Sequence, residues 1–365
     1  MTREAALEGN DTSRRPPTGI AGSDAERQAA NRLAEDLRER GRTASVEPIS
    51  VRLASGWITS LHALLALAGG LLAIEYPLGG AALCLMAAFS FYSERALGNP
   101  LIGRLAPNRA TQNVLSPPPG TDWSEVEVIL CAGYDLERSQ PVGEWLSRRF
   151  SGRLTIDRIT FWGGMVPVFL AAMFNVAAIE SVAVQVLQLL ASAVLLAMVA
   201  AQVDAYLADD PEADEQDLEA SRDMLAVLDE LHGGSEADPS VAVCLFGAET
   251  RSAAGAAAFF GQRGNPIESN PALVNFVRGP GGESEPPVLL TAREGDLATL
   301  RMSFELGSES PLEPDPAILR RTTCALLGRR RGLRATTVVG RGERSTGLGT
   351  DLVEQVFSDS EANEA

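Results

Sequence analysis

Val241–Thr250, with the sequence VAVCLFGAET, is the stretch that decides the fold. Its first six residues are mostly apolar and include two β-branched side chains, which predicts a buried β-strand that ends at Gly247. A helical run, Arg251–Phe260, follows. Glu249 therefore lies where a parallel strand gives way to a helix, and open α/β sheets bind their ligands at that end of the strands.

Working outward, strand-like and helical stretches alternate through the charged parts of the chain. The predicted strands are 44–53, 112–115, 126–132, 241–246, 272–278, 287–291 and 336–339, and the predicted helices are 24–40, 215–231, 251–260, 316–331 and 351–357. Ser23 and Glu26 form a capping box that starts the first helix. This alternation predicts an α/β fold, a three-layer sandwich of helices around a sheet. Residues 1–22 are polar without an apolar signal segment, which predicts a disordered tail.

The composition of the chain limits its partners. Its 365 residues include 48 acidic and 31 basic side chains, giving a formal net charge of -17. Nucleic acids are bound by basic surfaces, so this acidic protein is not expected to bind nucleic acid. The chain contains no Lys, and this absence beside abundant Arg suggests a GC-rich prokaryotic genome.

Few Cys and His residues are available for chemistry. The four Cys residues are Cys84, Cys131, Cys244 and Cys324. They show no CxxC spacing, which predicts free, buried thiols in a reducing compartment. The two His residues are His62, in an apolar block, and His232, at the end of a predicted helix. A Ser-His-Asp triad therefore lacks a usable His.

Two apolar blocks, 57–92 and 161–207, interrupt the α/β pattern. Each divides into two apolar runs at a short turn, Glu75-Tyr76-Pro77 in the first block and Glu180-Ser181 in the second. The runs are about 15 to 26 residues long, and about 20 residues cross a bilayer as a helix. The blocks therefore predict two transmembrane helical hairpins inserted into an α/β domain made of residues 23–56, 93–160 and 208–365. A buried helix pair in a soluble core is the alternative for the first block.

The distribution of Arg predicts the orientation of these hairpins. Arg residues flank the apolar blocks on the side of the α/β segments, at Arg52, Arg95, Arg104, Arg109, Arg148, Arg149, Arg153 and Arg158. The two hairpin turns carry only Glu75 and Glu180. Because basic residues favour the cytoplasmic side, the sequence predicts a multi-pass protein of the cell membrane with its α/β domain in the cytoplasm.

Several of these pieces occur in a familiar order. GSDAERQAANRLAEDLRERG, NVLSPPPG, VILCAGYD, a Leu-rich helix, CLFGAET and ALVNFVRG follow one another along the chain. In this order they resemble the M28 family of zinc aminopeptidases, over roughly 23–53, 111–140 and 215–280. The resemblance implies a zinc-exopeptidase sandwich, in which two zinc ions activate a water and a Glu removes its proton.

The resemblance also implies that the zinc ligands have been lost. In the family's Gly-Ala-His-Tyr-Asp signature, the ligand position corresponds to Gly133, whereas the orienting Asp is kept as Asp135. In its Gly-Ala-Glu-Glu signature, the base is kept as Glu249 and the ligand position corresponds to Thr250.

The remaining ligand positions give the same result. The bridging carboxylate corresponds to Leu218, with Asp217 beside it, and the strand 272–278 offers Asn275 and Phe276 where an Asp is expected. The last ligand of the family is a His near the C-terminus, and no His follows His232. The sequence therefore predicts no metal and no cofactor, and zinc is not expected here. Glu249 and Asp135 are interpreted as a vestigial base and a vestigial orienting residue.

Three functions remain open from the sequence. The first is a non-catalytic binding or scaffolding module, whose predicted cleft residues are Gly133, Tyr134, Asp135, Asp217, Glu249 and Thr250. Its partners would be the lipid bilayer and a peptide or protein in the cleft. The second is a divergent peptidase or hydrolase that uses Glu249 and Asp135. The third is a transport-associated membrane protein, suggested by Gln185, Gln188 and Asp204 in the last apolar helix.

Overall fold

The structure is a computed structural model of the full chain. It describes residues 18–51, 56–96, 101–105, 108–120, 123–136, 145, 149, 156–179, 181–207, 218–234, 240–249, 254–262, 271–278, 288–291, 323–330, 332–340 and 342–364. Two compact units are present. The α/β unit comprises Met1–Val51, Arg109–Glu137 and Pro211–Ala365, and the helical unit comprises Arg52–Asn108 and Arg138–Asp210.

A seven-stranded mixed sheet forms the centre of the α/β unit. Its strands are β1 (Ser45–Val51), β2 (Arg109–Ser116), β3 (Val128–Gly133), β4 (Val241–Phe246), β5 (Ala272–Arg278), β6 (Val288–Thr291) and β7 (Arg334–Gly340). Their order across the sheet is β1-β2-β4-β3-β5-β7-β6. The four central strands β4, β3, β5 and β7 are parallel, and β1, β2 and β6 are joined antiparallel. Each of the seven predicted strands is therefore present, with bounds that differ by a few residues.

Helices cover both faces of this sheet. The helices of the α/β unit are α1 (Asp24–Glu39), α6 (Glu219–Gly234), α7 (Ala254–Gln262), α8 (Thr323–Arg330) and α9 (Gly342–Glu364). The helices of the helical unit are α2 (Gly56–Glu75), α3 (Pro77–Ala96), α4 (Ile156–Val176) and α5 (Val182–Leu207). One face of the sheet packs against α1, α6 and α9, and the other packs against α7 and α8. Val243 and Leu245 point to the first face, and Cys244 and Phe246 point to the second. The continuous apolar run of β4 follows from this burial on both faces.

Residues Thr18–Gly22 belong to the predicted tail 1–22 and precede α1, whereas residues 1–17 lie outside the described residues. Ile20 forms a parallel bridge with Leu136, and the Leu136 amide donates to the Gly19 carbonyl at 2.9 Å. These contacts with the segment after β3 are long-range, so the local polarity of the sequence does not reveal them. We call residues Thr18–Gly22 the strap.

Three of the described helices are long and apolar enough to cross a membrane: α2 (as Trp57–Glu75), α4 and α5. The sequence predicted four such helices. The fourth, α3, contains 20 residues, but its apolar run ends in Tyr92-Ser93-Glu94. It is therefore less apolar than the other three and is not among the helices that meet the length and hydropathy required for a membrane span. Within α4, residues Ile159–Met165 form a π-helical stretch that the sequence did not predict.

Small residues and hydrogen bonds hold the helical unit together. A side chain at Gly80 would overlap with the backbone of Ala73, so this glycine permits the close approach of α2 and α3. The His62 ring is hydrogen-bonded to the Ile58 carbonyl at 2.7 Å and to the Ser90 hydroxyl at 3.0 Å. Gln188 of α5 donates to the Gly70 carbonyl of α2 at 2.8 Å. His62 and Gln188 therefore serve helix packing within this unit.

Candidate functional site

The carboxyl ends of β3 and β4 bring three of the sequence-predicted site residues together. Gly133 pairs with Phe246 at the end of the parallel ladder, and Asp135 and Glu249 follow these two strands. The backbone amide of Glu249 donates to Asp135 Oδ1 at 2.8 Å. Two other predicted cleft residues, Asp217 and Thr250, lie outside the described residues.

The side chain of Glu249 lies directly over the backbone of Gly133. A Cβ atom placed on Gly133 would be 2.9 Å from Glu249 Cβ and 3.0 Å from Glu249 Cγ. Contacts this short essentially do not occur in proteins, and both Glu249 atoms are close to its own backbone. The space that a side chain at position 133 would need is thus filled by Glu249.

An unusual backbone conformation precedes Glu249. Ala248 has φ 54°, in the left-handed region that residues other than glycine seldom adopt. The Ala248 carbonyl accepts a hydrogen bond from the Ala254 amide at 3.1 Å, which ties the turn to the start of α7. This turn directs Glu249 back over β3 instead of along the path of the strand. Backbone strain of this kind is often found at functional sites.

The carboxyl group of Glu249 is buried in the protein interior. Only 5% of the residue is exposed, and burial raises the pKa of Glu249 from 4.5 to about 8. The negative charge of Asp135 contributes to this rise, whereas hydrogen bonds from the backbone amides of Cys324 and Ala256 oppose it. These two amides belong to the first turns of α8 and α7, where helix amides favour an anion. Burial outweighs the helix termini, so Glu249 carries a proton at neutral pH.

Glu26 belongs to the same group of carboxylates, and sequence reasoning missed this role. Its amide donates to Ser23 Oγ at 3.1 Å, as the capping box predicts, and its carboxylate accepts from the Gly22 amide at 2.5 Å. The carboxylate also accepts from the Thr111 hydroxyl of β2. Burial raises the pKa of Glu26 to about 7 against these hydrogen bonds, and Asp135 adds to the effect. A capping Glu gives no sequence signal for such burial, because Thr111 is 85 residues away.

Tyr134 and Asp135 are also buried, with exposures of 0% and 7%. The Tyr134 hydroxyl donates to the Gln112 carbonyl of β2 at 2.5 Å. Burial raises the pKa of Tyr134, and the charges of Glu26 and Asp135 raise it further. The described residues of the predicted cleft therefore form a compact group with little contact with solvent.

Thiols line the interior on the α8 side of the sheet. The sulfur atoms of Cys131 and Cys324 are 3.3 Å apart, and Cys131 lies 3.6 Å from Asn275 Oδ1. Both thiols are fully buried, and burial raises the pKa of Cys324 well above its usual value. All four Cys residues are free and buried, as predicted. Buried, protonated thiols are unreactive.

Among the described residues, the side chains at the ligand positions that the resemblance implies do not fit a two-zinc site. Gly133 has no side chain, and Leu218 packs in the apolar core. Asn275 is 1% exposed and offers an amide, and Phe276 belongs to the core. Within the described ranges, no group of three or more His, Cys, Asp or Glu residues is arranged to hold a metal ion. Zinc sites in proteins use His, Cys and carboxylate ligands.

Comparisons with known proteins give only distant likenesses. No family model and no curated protein matches the chain. Among solved structures, it is similar to BSAP, a zinc aminopeptidase from Bacillus subtilis, with a TM-score of 0.41 and 10% identity over 94% of this chain and 90% of that chain. It is also similar to an aminopeptidase from Aneurinibacillus sp. strain AM-1, with a TM-score of 0.37 and 10% identity over 91% of this chain and 85% of that chain. At these values, neither likeness supports a conclusion about activity.

Proposed function

We propose that this protein is a membrane-integral relative of the M28 peptidases without catalytic zinc, and that its α/β unit acts as a binding or scaffolding module. In this proposal the unit is a zinc-exopeptidase sandwich, and the helical unit comprises two hairpins inserted into loops of that fold. The single observation that carries the non-catalytic part is the position of Glu249 over Gly133. Glu249, at the position of the family's base, fills the space that a ligand side chain at position 133 would need. A two-zinc site would therefore require the Glu249 side chain and the backbone at position 133 to move apart.

Burial of the carboxylates supports the same proposal. A general base must come within hydrogen-bond reach of the proton that it removes, directly or through one water. Glu249 is 5% exposed and Asp135 is 7% exposed, and the Asp135 carboxylate is engaged by the Glu249 amide. The Asp135 carboxylate thus joins the segments that follow β3 and β4 through the Glu249 amide.

Strand pairing supports two membrane hairpins in spite of the weaker apolar character of α3. β1 precedes α2 and β2 follows α3, and these two strands pair along their whole length. Paired strands lie on one side of a membrane, so the number of crossings between them is even. If α2 crosses, α3 must cross as well. The parallel pair β3 and β4 imposes the same condition on α4 and α5.

The surface of the helical unit is suited to lipid. Large apolar side chains of α2 and α5 are strongly exposed, including Leu71 at 69%, Leu189 at 71% and Leu207 at 74%. Contiguous apolar surface on this scale is seldom left in water. We therefore propose that the lipid bilayer is one partner. The excess of Arg beside the α/β segments supports a cytoplasmic position for the α/β unit.

One observation favours a divergent hydrolase as a second candidate. A carboxyl group that stays protonated near neutral pH is what a general acid requires, and burial raises the pKa of Glu249 to about 8. Asp135 lies beside it and would act as the second carboxylate. A transport-associated role is less supported, because Gln188 is engaged in an interhelical hydrogen bond.

Turnover of a fluorogenic aminoacyl substrate separates the binding module from the hydrolase. We expect the detergent-purified full chain and its Glu249→Gln variant to give the same rate, equal to that of the buffer. Removing an essential acid or base usually lowers a rate by about 100-fold or more. Turnover that depends on Glu249 to this extent would establish the second candidate and refute the first.

A further inference from the structure

The strap binds to the segment that follows β3. Thr18 is fully buried, and its hydroxyl donates to the Tyr134 carbonyl. The Leu136 amide donates to the Gly19 carbonyl at 2.9 Å, and Ile20 forms a parallel bridge with Leu136. These bonds lie on either side of Asp135. Residues 18–20 of the strap therefore lie along the edge of the candidate site and are held by backbone groups and the Thr18 hydroxyl.

Its position matters because ligands of open α/β sheets bind outside the carboxyl ends of the strands. Tyr134 and Leu136 present their carbonyl and amide groups at this place, and both groups are engaged by the strap. An external segment that approached the same groups would have to replace the strap.

The strap has few backbone bonds to the β3 side, although its Gly22 amide also donates to the Glu26 carboxylate. Its pairing with the β3 side is a single isolated bridge, in contrast to the seven paired positions between β1 and β2. At its other end, the Ser23 amide donates to the Ile20 carbonyl at 3.0 Å, which turns the chain into α1. Segments with so few backbone bonds open at a lower free-energy cost than strands within a sheet.

We infer that the strap is a displaceable internal ligand, and that the site beneath it takes an extended peptide segment of a partner protein. Recognition is by strand-like pairing with Leu136 together with a Ser or Thr hydroxyl that donates to the Tyr134 carbonyl, as Thr18 does. The strap closes the site until such a segment competes. This inference rests on the proposed binding function and specifies its ligand.

The test uses a fluorescent peptide with the sequence of residues 18–24, TGIAGSD, and the detergent-purified full chain. Thr18→Val in the protein removes the hydroxyl donor to Tyr134 but keeps the shape of the side chain, so the strap is weakened. We expect this variant to bind the peptide about fivefold more tightly than the wild type, the size of effect that one hydrogen bond gives. Thr346→Val is the matched control, because Thr346 is a buried Thr in α9 that is remote in sequence from the strap. It should bind as the wild type does.

A cross-linked variant gives the opposite change. Ile20 and Leu136 are bridge partners, so Ile20→Cys with Leu136→Cys places two thiols side by side. Mild oxidation should abolish peptide binding and reduction should restore it. A peptide with Val in place of its Thr should bind at least severalfold more weakly to the Thr18→Val protein.

Two results would overturn the inference. One is equal peptide affinity in the wild type, the Thr18→Val protein and the oxidised cross-linked protein. The other is the absence of peptide binding to the Thr18→Val protein and to the reduced cross-linked protein. Both results concern peptide binding only. The proposed non-catalytic function would instead be refuted by turnover that depends on Glu249, so the two failures can be told apart.

Discussion

Replacing Glu249 by Gln is expected to stabilise the protein at alkaline pH, with a gain in the free energy of unfolding of roughly 3 kcal/mol at pH 9. Gln has nearly the shape of a protonated Glu and carries no charge at any pH. The wild type must either bury the Glu249 anion beside Asp135 or unfold to release it. The variant avoids this cost, so the gain should grow between pH 5.5 and 9.

The sign follows from the pKa of Glu249 in the two states. It is about 8 in the folded protein and near 4.5 in the unfolded chain. The stability of the protonated form is fully present below pH 4.5 and is lost as the pH rises through 8. Each unit of pKa difference corresponds to about 1.4 kcal/mol of unfolding free energy. The full difference between the two pKa values of Glu249 is therefore an upper limit for the gain, and the gain of roughly 3 kcal/mol expected at pH 9 lies below it. The pKa of Glu26 is also raised, to about 7, so Glu26 causes a second loss of stability as the pH rises. This second loss is present in the wild type and in the Glu249→Gln variant alike.

Denaturant unfolding in detergent at several pH values measures this difference. Glu125→Gln is the control, because Glu125 is exposed and its replacement removes the same formal charge. It should follow the wild type at every pH. A Glu249→Gln curve that runs parallel to the wild type from pH 5.5 to 9 would mean that Glu249 is ionised and solvated in the folded protein.

Replacing Gly133 by Ala is expected to lower the free energy of unfolding by about 1–3 kcal/mol, the usual cost of overpacking. The new Cβ would lie 2.9 Å from Glu249 Cβ and 3.0 Å from Glu249 Cγ. Glu249 Cβ cannot swing away, since its position is fixed by the backbone after the turn at Ala248. Gly133 has no positive φ, so the loss would be steric.

A double-mutant cycle identifies Glu249 as the source of that loss. In a Glu249→Gly background both clashing atoms are gone, so Gly133→Ala should cost much less there than in the wild type. Gly347→Ala is the matched control, because a Cβ at this glycine of α9 meets nothing within 4 Å. It should be neutral or slightly stabilising. Equal costs of Gly133→Ala in both backgrounds would show that Glu249 does not lie over Gly133.

The sheet could be predicted from the sequence because its strands are buried on both faces. Continuous apolar runs such as Val241–Phe246 and Ala272–Arg278 leave little choice of structure, and both strands have the predicted bounds. The starting point of α1 was equally clear, since the capping box is a local pattern. Periodicity and caps depend on residues within a few positions of one another, and these signals survive in a single sequence.

The arrangement of the candidate site could be predicted only in part. Asp135 and Glu249 were found because they follow strands and Gly133 was found through the resemblance, but the contact of Glu249 with Gly133 depends on the left-handed turn at Ala248. A left-handed Ala has no sequence signal, since glycine is the residue that usually marks this conformation. The burial of Glu26 and the pairing of the strap likewise depend on partners about 85 and 116 residues away.

The helical unit shows the same limit. The length and apolar character of α2 and α5 are evident from composition, whereas the pairing of β1 with β2 is needed to argue that α3 crosses with α2. The π-helical stretch of α4 includes Gly164, where a side chain would overlap with Leu195 of α5. Such close contacts between helices are decided by packing and leave no pattern in the sequence.

The most direct test of the central claim is the zinc content of the detergent-purified full chain after equilibration with zinc and gel filtration, measured by elemental analysis beside the Glu249→Ala variant. We expect no more zinc in the wild type than in the variant, as the proposed absence of a catalytic zinc site requires. A content of about two zinc ions per chain in the wild type, lowered in the variant, would contradict the proposed absence of catalytic zinc. It would favour an active metallopeptidase instead.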